Sequence, residues 1–278
     1  MAIKVYNPTT PARRGMSVLK NDTQKIKPKK FLVTIKNKKS GRNNQGRITV
    51  RHRGGEEKRF YRNVDLKRND PLNMEAKIIR FEYDPNRNCK IMLVCFENGV
   101  YKYFIAPDGL EIGDKVSSYM DSPKIKIGNR MPLSKIPSGT LIYNVELLPG
   151  RGGRIARSAG NCVTLMGIDG KNAQVKMPSS EIRIISSKCF ASIGQVSNSE
   201  YKNIRVGKAG RKRHMGFRPT VRGKAMNASD HPHGSKHNSA PIGGPPMTKW
   251  GKKAMGVKTR RPKKFSNKFI INRRKGKK

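Results

Sequence analysis

The sequence predicts a mainly β chain of small barrels or sandwiches, with a basic extended N-terminal arm and a basic extended C-terminal tail. Three observations predict it. Short apolar runs are separated by Asn-Gly, Asp-Gly and Pro-Asp-Gly, the punctuation of antiparallel hairpins. No stretch sustains the apolar period of about 3.6 residues that marks an amphipathic helix. The charge, finally, is both large and uneven: 61 Lys plus Arg against 18 Asp plus Glu, a formal +43.

Residues 1–71 hold 20 basic and 5 acidic side chains, and residues 72–118 hold 6 and 7. Residues 121–200 hold 11 and 5, whereas residues 201–278 hold 24 basic groups and one acid, Asp230. A balanced segment can fold alone; a segment of nearly uniform sign repels itself and orders on a polyanion. Nucleic acid is that polyanion, because Lys and Arg on phosphates release condensed counterions. A hydrophobic content of 35% is too low for one large core along the whole length. No apolar run approaches the ~20 residues of a membrane helix, and the opening MAIKVYNPTTPARRGMSV lacks the apolar stretch of a secretory signal. Neither a membrane-surface helix nor a lipidation site is evident, so no membrane is expected.

The elements follow in order. In AKIIRFEYD (76–84), Ile79, Phe81 and Tyr83 alternate with Arg80 and Glu82, the period of a half-buried strand. KIMLVCFE (90–97) is continuously apolar and fits a strand covered on both faces. Asn98-Gly99 then joins it to VYKYFI (100–105), and Pro107-Asp108-Gly109 marks the next turn. TLIYNVELL (140–148) reads as one strand. CVTLMGI (162–168) and NAQVKM (172–177) form a hairpin about Asp169-Gly170, followed by EIRIIS (181–186). From residue 207 Gly and Pro are dense and apolar periodicity is lost; PIGGPPM (241–247) fits neither helix nor central strand. No solenoid repeat is present. The four cysteines, Cys89, Cys95, Cys162 and Cys189, form no CxxC pair, which argues against a zinc ribbon. Cys89, Cys95 and Cys162 lie in or beside apolar runs and read as small buried hydrophobes.

Three constellations carry chemistry. GRNNQGRITVRHRGGEEKRFYR (41–62) interleaves Arg42, Arg47, Arg51, Arg53, Lys58, Arg59 and Arg62 with His52, Phe60, Tyr61 and glycines. Cations meet phosphates, glycine admits close backbone approach, and aromatic or guanidinium planes stack on unpaired bases. PGRGGRIARSAG (149–160) carries Arg151, Arg154 and Arg157 among four glycines. It lacks the Gly-Lys-Ser/Thr of a Walker loop and a surrounding βαβ unit, so backbone contact with RNA is its expected use. VGKAGRKRHMGFRPTVRGKAMN (206–227) contributes Lys208, Arg211, Lys212, Arg213, Arg218, Arg222 and Lys224. ASDHPHGSKH (228–237) then places His231, His233 and His237 beside Asp230. A metal site there would have one acid and no rigid scaffold. Ser229, Asp230 and His231, being consecutive, do not make a triad, which is a spatial arrangement. Histidines that hydrogen-bond or stack on RNA are the expectation. Arg68 and Arg87, and in the tail Trp250, Arg260, Arg261, Arg273 and Arg274, complete the expected RNA-contacting set.

Over nearly its whole length the chain resembles the ribosomal protein L-two family, the second protein of the large subunit, in its bacterial and organellar form. The resemblance rests on GRNNQGRITVRHRGG (41–55), EYDPNR (82–87), IAPDGL (105–110), IPSGT (136–140), NVELLPGRGGRIARSAG (144–160), GKAGRKR (207–213), RPTVRGKAMN (218–227) and DHPHG (230–234), in that order. It implies an OB-like barrel followed by an SH3-like barrel: a basic arm over 1–41, an OB-like RNA-binding barrel over 42–118, an SH3-like barrel over 123–200 and a basic tail over 201–278. It implies a primary binder of large-subunit rRNA that supports subunit assembly and joining, tRNA binding and the peptidyl transferase region. The expected partners are large-subunit rRNA, small-subunit rRNA at an intersubunit bridge, neighbouring ribosomal proteins and nearby tRNA, with no homo-oligomer, metal or cofactor. The expected location is the ribosome of a bacterial cytoplasm, a plastid stroma or a mitochondrial matrix.

A catalytic role for the DHPHG histidine, proposed for the family, would fall here on His231 or His233. The chain departs from the family where Glu56 and Glu57 follow Gly54-Gly55, where Ser235, Lys236 and His237 follow Gly234, at Tyr143 in place of a usual His, and at His214 in place of a usual Trp. The competing readings are a free nucleic-acid chaperone, and a direct catalyst of peptide-bond formation through a tail histidine.

Overall fold

The computed structural model describes residues 3–20, 23, 26–120, 124–234 and 244–273. β1 (Ile3–Val5) and β2 (Ser17–Leu19) form an antiparallel pair about a one-turn helix, α1 (Pro11–Arg14). Thr10 caps that turn by accepting the Arg13 amide, and Pro11 supplies a pre-set φ. β3 (Val33–Ile35) pairs antiparallel with β4 (Phe60–Arg62). A four-stranded sheet follows, from β5 (Glu75–Glu82), β6 (Ile91–Phe96), β7 (Tyr101–Ile105) and β8 (Lys115–Ser117), in the order β7-β6-β5-β8. Gly99 turns between β6 and β7 at φ 79°, but Asn98 is not at positive φ, and the Phe96 amide donates to the Val100 carbonyl across a three-residue loop in place of the two-residue turn of the Asn-Gly signal. Ile78, Met92, Val94, Phe104 and Val116 close one core cluster on this sheet, each large side chain contributing roughly 1.5–3 kcal/mol by burial.

The buried face of β5 is only partly the one expected: of Ile79, Phe81 and Tyr83, Phe81 alone packs against the core. A bulge between Ile78 and Arg80 shifts the register against β6 and flips the alternation partway along the strand. Ala76 and Ile78 face the core cluster before the bulge and Phe81 packs against the same cluster beyond it, while Ile79 and Tyr83 are each 40% exposed and Glu82 is buried beside Tyr103 of a different cluster. Glu82 is tolerated inside because Tyr103 Oη donates to it at 2.8 Å and Arg80 Nε at 2.8 Å.

The second sheet is built from β9 (Arg130–Pro132), β10 (Leu141–Tyr143), β13 (Val163–Asp169), β14 (Asn172–Lys176), β15 (Ile182–Ser186), β16 (Phe190–Ile193) and β17 (Ile270–Asn272). Its order is β17-β15-β14-β13-β10-β16-β9, antiparallel at every pairing. The single strand expected over 140–148 breaks at Asn144, which sits at φ 50°. Its second half, β11 (Val145–Glu146), leaves the large sheet and pairs with β12 (Gly153–Ile155). Ile142, Val163, Leu165, Val175 and Ile185 lie in the larger core cluster. Cys89 and Cys189 are buried, whereas Cys95 and Cys162 are only half-buried; all four are free thiols.

The tail also departs from extended chain. Residues 209–214 form a short helix, α2 (Ala209–His214), and Ile270–Asn272 enters the large sheet as its edge strand β17. An Ile-Ile pair with backbone donors and acceptors free on one side is enough to extend an open edge, a signal that the surrounding lysines and arginines conceal. The chain forms two compact units. One comprises residues 1–37, 58–208 and 268–278 and holds both large sheets; the other joins residues 38–57 to residues 209–267. Among the described residues no helix is long and apolar enough to cross a membrane.

Candidate nucleic-acid interface

The second unit brings two basic segments together. The Arg218 amide donates to the His52 carbonyl at 3.0 Å and the Gly54 amide to the Gly216 carbonyl at 3.0 Å. Asn43 stabilises the preceding turn, its side-chain oxygen accepting the amides of Gln45 and Arg47 at 3.0 Å each. Gly41 is required here, since a Cβ on it would lie 2.2 Å from the Val50 carbonyl oxygen. The outcome is a groove of about 390 Å³ lined by Ser40, Arg42, Ile48, Arg51, His52, Arg53, Gly54, Gly55 and Arg218. The Arg53 guanidinium lies 4.2 Å from the Phe217 ring centroid and that of Arg51 5.0 Å from Trp250, distances at which a cation is attracted to the ring face. Of the two glutamates flanking this loop, Glu57 has its carboxylate engaged locally. Glu57 Oε1 is 2.9 Å from His214 Nδ1. The Glu56 carbonyl accepts the Lys38 ammonium.

The 149–157 loop in the first unit works differently from expectation. Its glycine amides do not face outward. Gly150 and Gly152 each donate to the Glu146 carboxylate at 3.1 Å, and Gly153 donates to the Leu66 carbonyl at 2.9 Å. Glu146 is wholly buried and also accepts the Phe190 amide at 3.2 Å and Arg130 Nη2 at 2.9 Å. Arg130, equally buried, spends its other donors on the carbonyls of Lys67 and Asn144; burial lowers its pKa, opposed by Glu146. The loop therefore cradles its own chain's carboxylate, and only the exposed side chains of Arg151, Arg154 and Arg157 are left for RNA. The signal for this was the one acid, Glu146, in an otherwise apolar strand beside a glycine-rich turn.

Two other expected contacts are corrected by burial. Arg68 is 3% exposed; Nη1 donates to the Gly128 carbonyl at 2.9 Å and Nη2 to that of Ser117 at 3.3 Å. Burial pushes its pKa down to about 10. Arg62 is also buried, with Nη1 donating to the Phe60 carbonyl at 3.3 Å. Both are internal struts with no face for a phosphate. Arg87 is half-buried and paired with Asp84, and Arg59 Nη1 donates to the Pro85 carbonyl at 3.1 Å. Exposed side chains remain at Arg47 and Lys58, at Lys208, Lys212, Arg222 and Lys224, and at Arg260, Arg261 and Arg273. Arg211 and Arg213 are half-buried, with the Arg213 guanidinium against Gly55. Trp250 is 68% exposed. Arg274 and residues 235–243, His237 among them, lie outside the described residues.

His231 and His233 are half-buried in a tight loop. The His231 ring packs on Gly223, where an added Cβ would lie 2.5 Å from it. His231 Nδ1 accepts the His233 amide at 3.0 Å, and His233 Nε2 accepts the Met247 amide at 2.9 Å. A general base needs a free lone pair within reach of the proton it removes; here one ring lone pair of each histidine already holds a backbone amide. Among the described residues no group of three His, Cys, Asp or Glu side chains could hold a metal.

A mainly β chain that gathers arginines, a histidine and glycines around a carboxylate-free groove belongs to the class of RNA-binding proteins. The model of the family described as Ribosomal Proteins L2, RNA binding N-terminal domain, matches residues 29–118, and that of Ribosomal Proteins L2, C-terminal domain, matches residues 126–251. Together they span well over half of the chain, and it belongs to the ribosomal protein L2 family. It is a structural, rRNA-binding protein of the large ribosomal subunit, with domains of OB and SH3-like fold, in a family that is not enzymatic.

Proposed function

We propose that the chain acts as a scaffold: the two β domains fix its position on large-subunit rRNA, while the arm and tail run between RNA segments and neutralise their phosphates. The division of labour is a basic arm over 1–41, β domains over 42–118 and 123–200, and a tail over 201–278, with residues 42–57 folding in one unit with residues 209–267 of the tail. The observation that carries this reading is the arginine-lined groove, which brings residues 40–55 from one end of the chain to Arg218 from the other. Arg42, Arg47, Arg51, Arg53 and Arg218 are the principal contacts in that unit, with Arg151, Arg154 and Arg157 in the other. Its further partners are small-subunit rRNA at an intersubunit bridge, neighbouring ribosomal proteins and nearby tRNA. Its ribosome is that of a bacterium, a plastid or a mitochondrion.

Sedimentation of lysate through sucrose at increasing salt, following the chain by immunoblot, tests the reading. Retention on the large subunit at high salt is expected. Release to the top of the gradient would favour the free chaperone instead. The catalytic alternative is tested by H231Q and H233Q in fully assembled subunits. Peptide-bond formation is expected to persist, because these rings act through backbone amides; its abolition in intact particles would overturn the scaffold reading of the histidines.

A further inference from the structure

Electrostatic attraction to a phosphate backbone needs only exposed cations. The groove between residues 40–55 and Arg218 has more than that. Ile48 lines it yet remains 58% exposed, an apolar surface left without cover. The Arg53 and Arg51 guanidiniums lie over Phe217 and Trp250, contacts that hold each cation on one side of an aromatic ring. No carboxylate lines the groove. Gly54, on its wall, sits buried at φ +130°, a conformation essentially reserved for glycine, and its amide goes to the Gly216 carbonyl, which fixes the wall of the groove. A volume of about 390 Å³ lies in the range of pockets that take one small ligand; it has no room for a duplex.

We propose that this groove seats a single unpaired RNA nucleotide, its base on Ile48 and the held guanidiniums and its phosphate on Arg42 and Arg218. The proposal rests on the reading of the chain as an rRNA binder and deepens it, from general phosphate neutralisation to a built nucleotide subsite. Flat, sequence-tolerant stacking combined with a cationic phosphate seat is how splayed-out bases are held. A small anion or an acidic peptide would satisfy the cations and leave the apolar surface uncovered. A paired base presents its faces to its stacked neighbours and none to Ile48.

Trp250 is the only tryptophan in the chain, and its ring lies 5.0 Å from the Arg51 guanidinium, so its emission reports on the groove. The full chain is titrated at fixed salt with a 5′-phosphorylated adenosine trinucleotide, the same trinucleotide abasic at its centre, an RNA hairpin stem and a hexaglutamate peptide. Saturable quenching by the intact trinucleotide is expected, at least tenfold weaker binding by the abasic one, and at least tenfold weaker binding to the I48D and R218Q variants. Both positions are exposed, and circular dichroism checks that each variant folds. Equal titration by the abasic trinucleotide or hexaglutamate would reduce the groove to an anion patch. Stronger titration by the hairpin, unchanged binding to both folded variants, or no saturable quenching would likewise overturn the proposal. Filter retention of large-subunit rRNA, measured on the same preparation, separates the two levels. Retained rRNA with any of those results removes the nucleotide subsite alone, and loss of rRNA retention by the wild-type chain removes the underlying reading too.

Discussion

Replacing Glu146 by Gln keeps the shape of the side chain and removes its charge. The carboxylate accepts four donors: Arg130 Nη2 at 2.9 Å, the Gly150 and Gly152 amides at 3.1 Å, and the Phe190 amide at 3.2 Å. In the variant the new amide group turns a donor toward some of these donors, and Arg130, 0% exposed, becomes an uncompensated buried charge. Breaking a buried pair costs about 3–5 kcal/mol, a large share of the roughly 5–15 kcal/mol that holds a domain together. The urea midpoint of the unit containing the large sheets is expected to fall by roughly 1–3 M, followed by far-ultraviolet circular dichroism because the sole tryptophan lies in the other unit. The double variant R130M/E146L adds a discriminating arm. An isolated buried ion pair can be exchanged for apolar residues at little cost. Here three backbone amides would still lose their acceptor, at about 1–3 kcal/mol for each one left buried and unpaired, so the double variant is expected to remain less stable than wild type. Wild-type stability of E146Q would refute the ion-pair argument. Full recovery in the double variant would refute the claim that the carboxylate organises the glycine loop.

Arg68→Gln and Arg154→Gln are expected to behave oppositely. The first loses about 2–3 kcal/mol of stability by removing hydrogen bonds to buried carbonyls from a charged group and leaves the salt dependence of rRNA binding unchanged. The second leaves stability within ~0.5 kcal/mol and lowers the salt slope by about one; filter binding across salt concentrations reads both. A thiol reagent at pH 8 is expected to label Cys95 and Cys162 ahead of Cys89 and Cys189, as peptide mapping would show, because burial pushes the Cys89 thiol up to about 11 and Cys189 to about 12. The sign for stability follows: an unfolded thiol ionises near 9.0, so above that pH the unfolded state binds fewer protons and stability falls as pH rises toward the folded values. C89A and C189A should each flatten the decline in alkaline urea titrations. Deleting residues 268–278 strips β17 from β15 and is expected to speed amide exchange along Ile182–Ser186, while deletion of all of 201–278 should additionally impair large-subunit assembly; unchanged exchange would deny β17 a structural role.

The strands over 91–96, 101–105, 163–169, 172–176 and 182–186 were legible because β-rich apolar composition, turn signals and hairpin spacing agree there. What escaped notice has local physical causes. The β5 bulge flips which side chains face the core, and period-two alternation cannot register an extra residue. Asn144 adopts positive φ and ends a run that composition reads as continuous. β16 (Phe190–Ile193) and β9 are too short to show a period. The basic clusters of the candidate site could be read directly, since charge and glycine are visible one residue at a time. Which arginines point inward could not. Arg62, Arg68 and Arg130 differ from their exposed neighbours only in what the fold places around them, and Ile48 gains its part only when residues 40–55 fold against Arg218.

The two glycine-rich basic loops look alike as sequence and differ in what occupies their backbone donors. Around Gly150 and Gly152 the amides converge on Glu146, so the anion that such a nest would otherwise recruit is already supplied by the chain. This makes the loop a rigid part of the folded unit and leaves RNA contact to arginine side chains, a point-charge interaction with little selectivity for sequence. Around Gly54 the amide goes to a neighbouring carbonyl, no carboxylate lines the space, and the guanidiniums are held from behind by aromatic rings. In the first arrangement the buried carboxylate is balanced by Arg130 from the same chain, so it does not depend on RNA. The second leaves like charges facing one another and is stabilised when a polyanion enters. Ordering on RNA should therefore be concentrated in residues 38–57 and 209–267. The two-sheet unit should hold its fold unaided, a difference that amide exchange in free and RNA-bound chain measures directly.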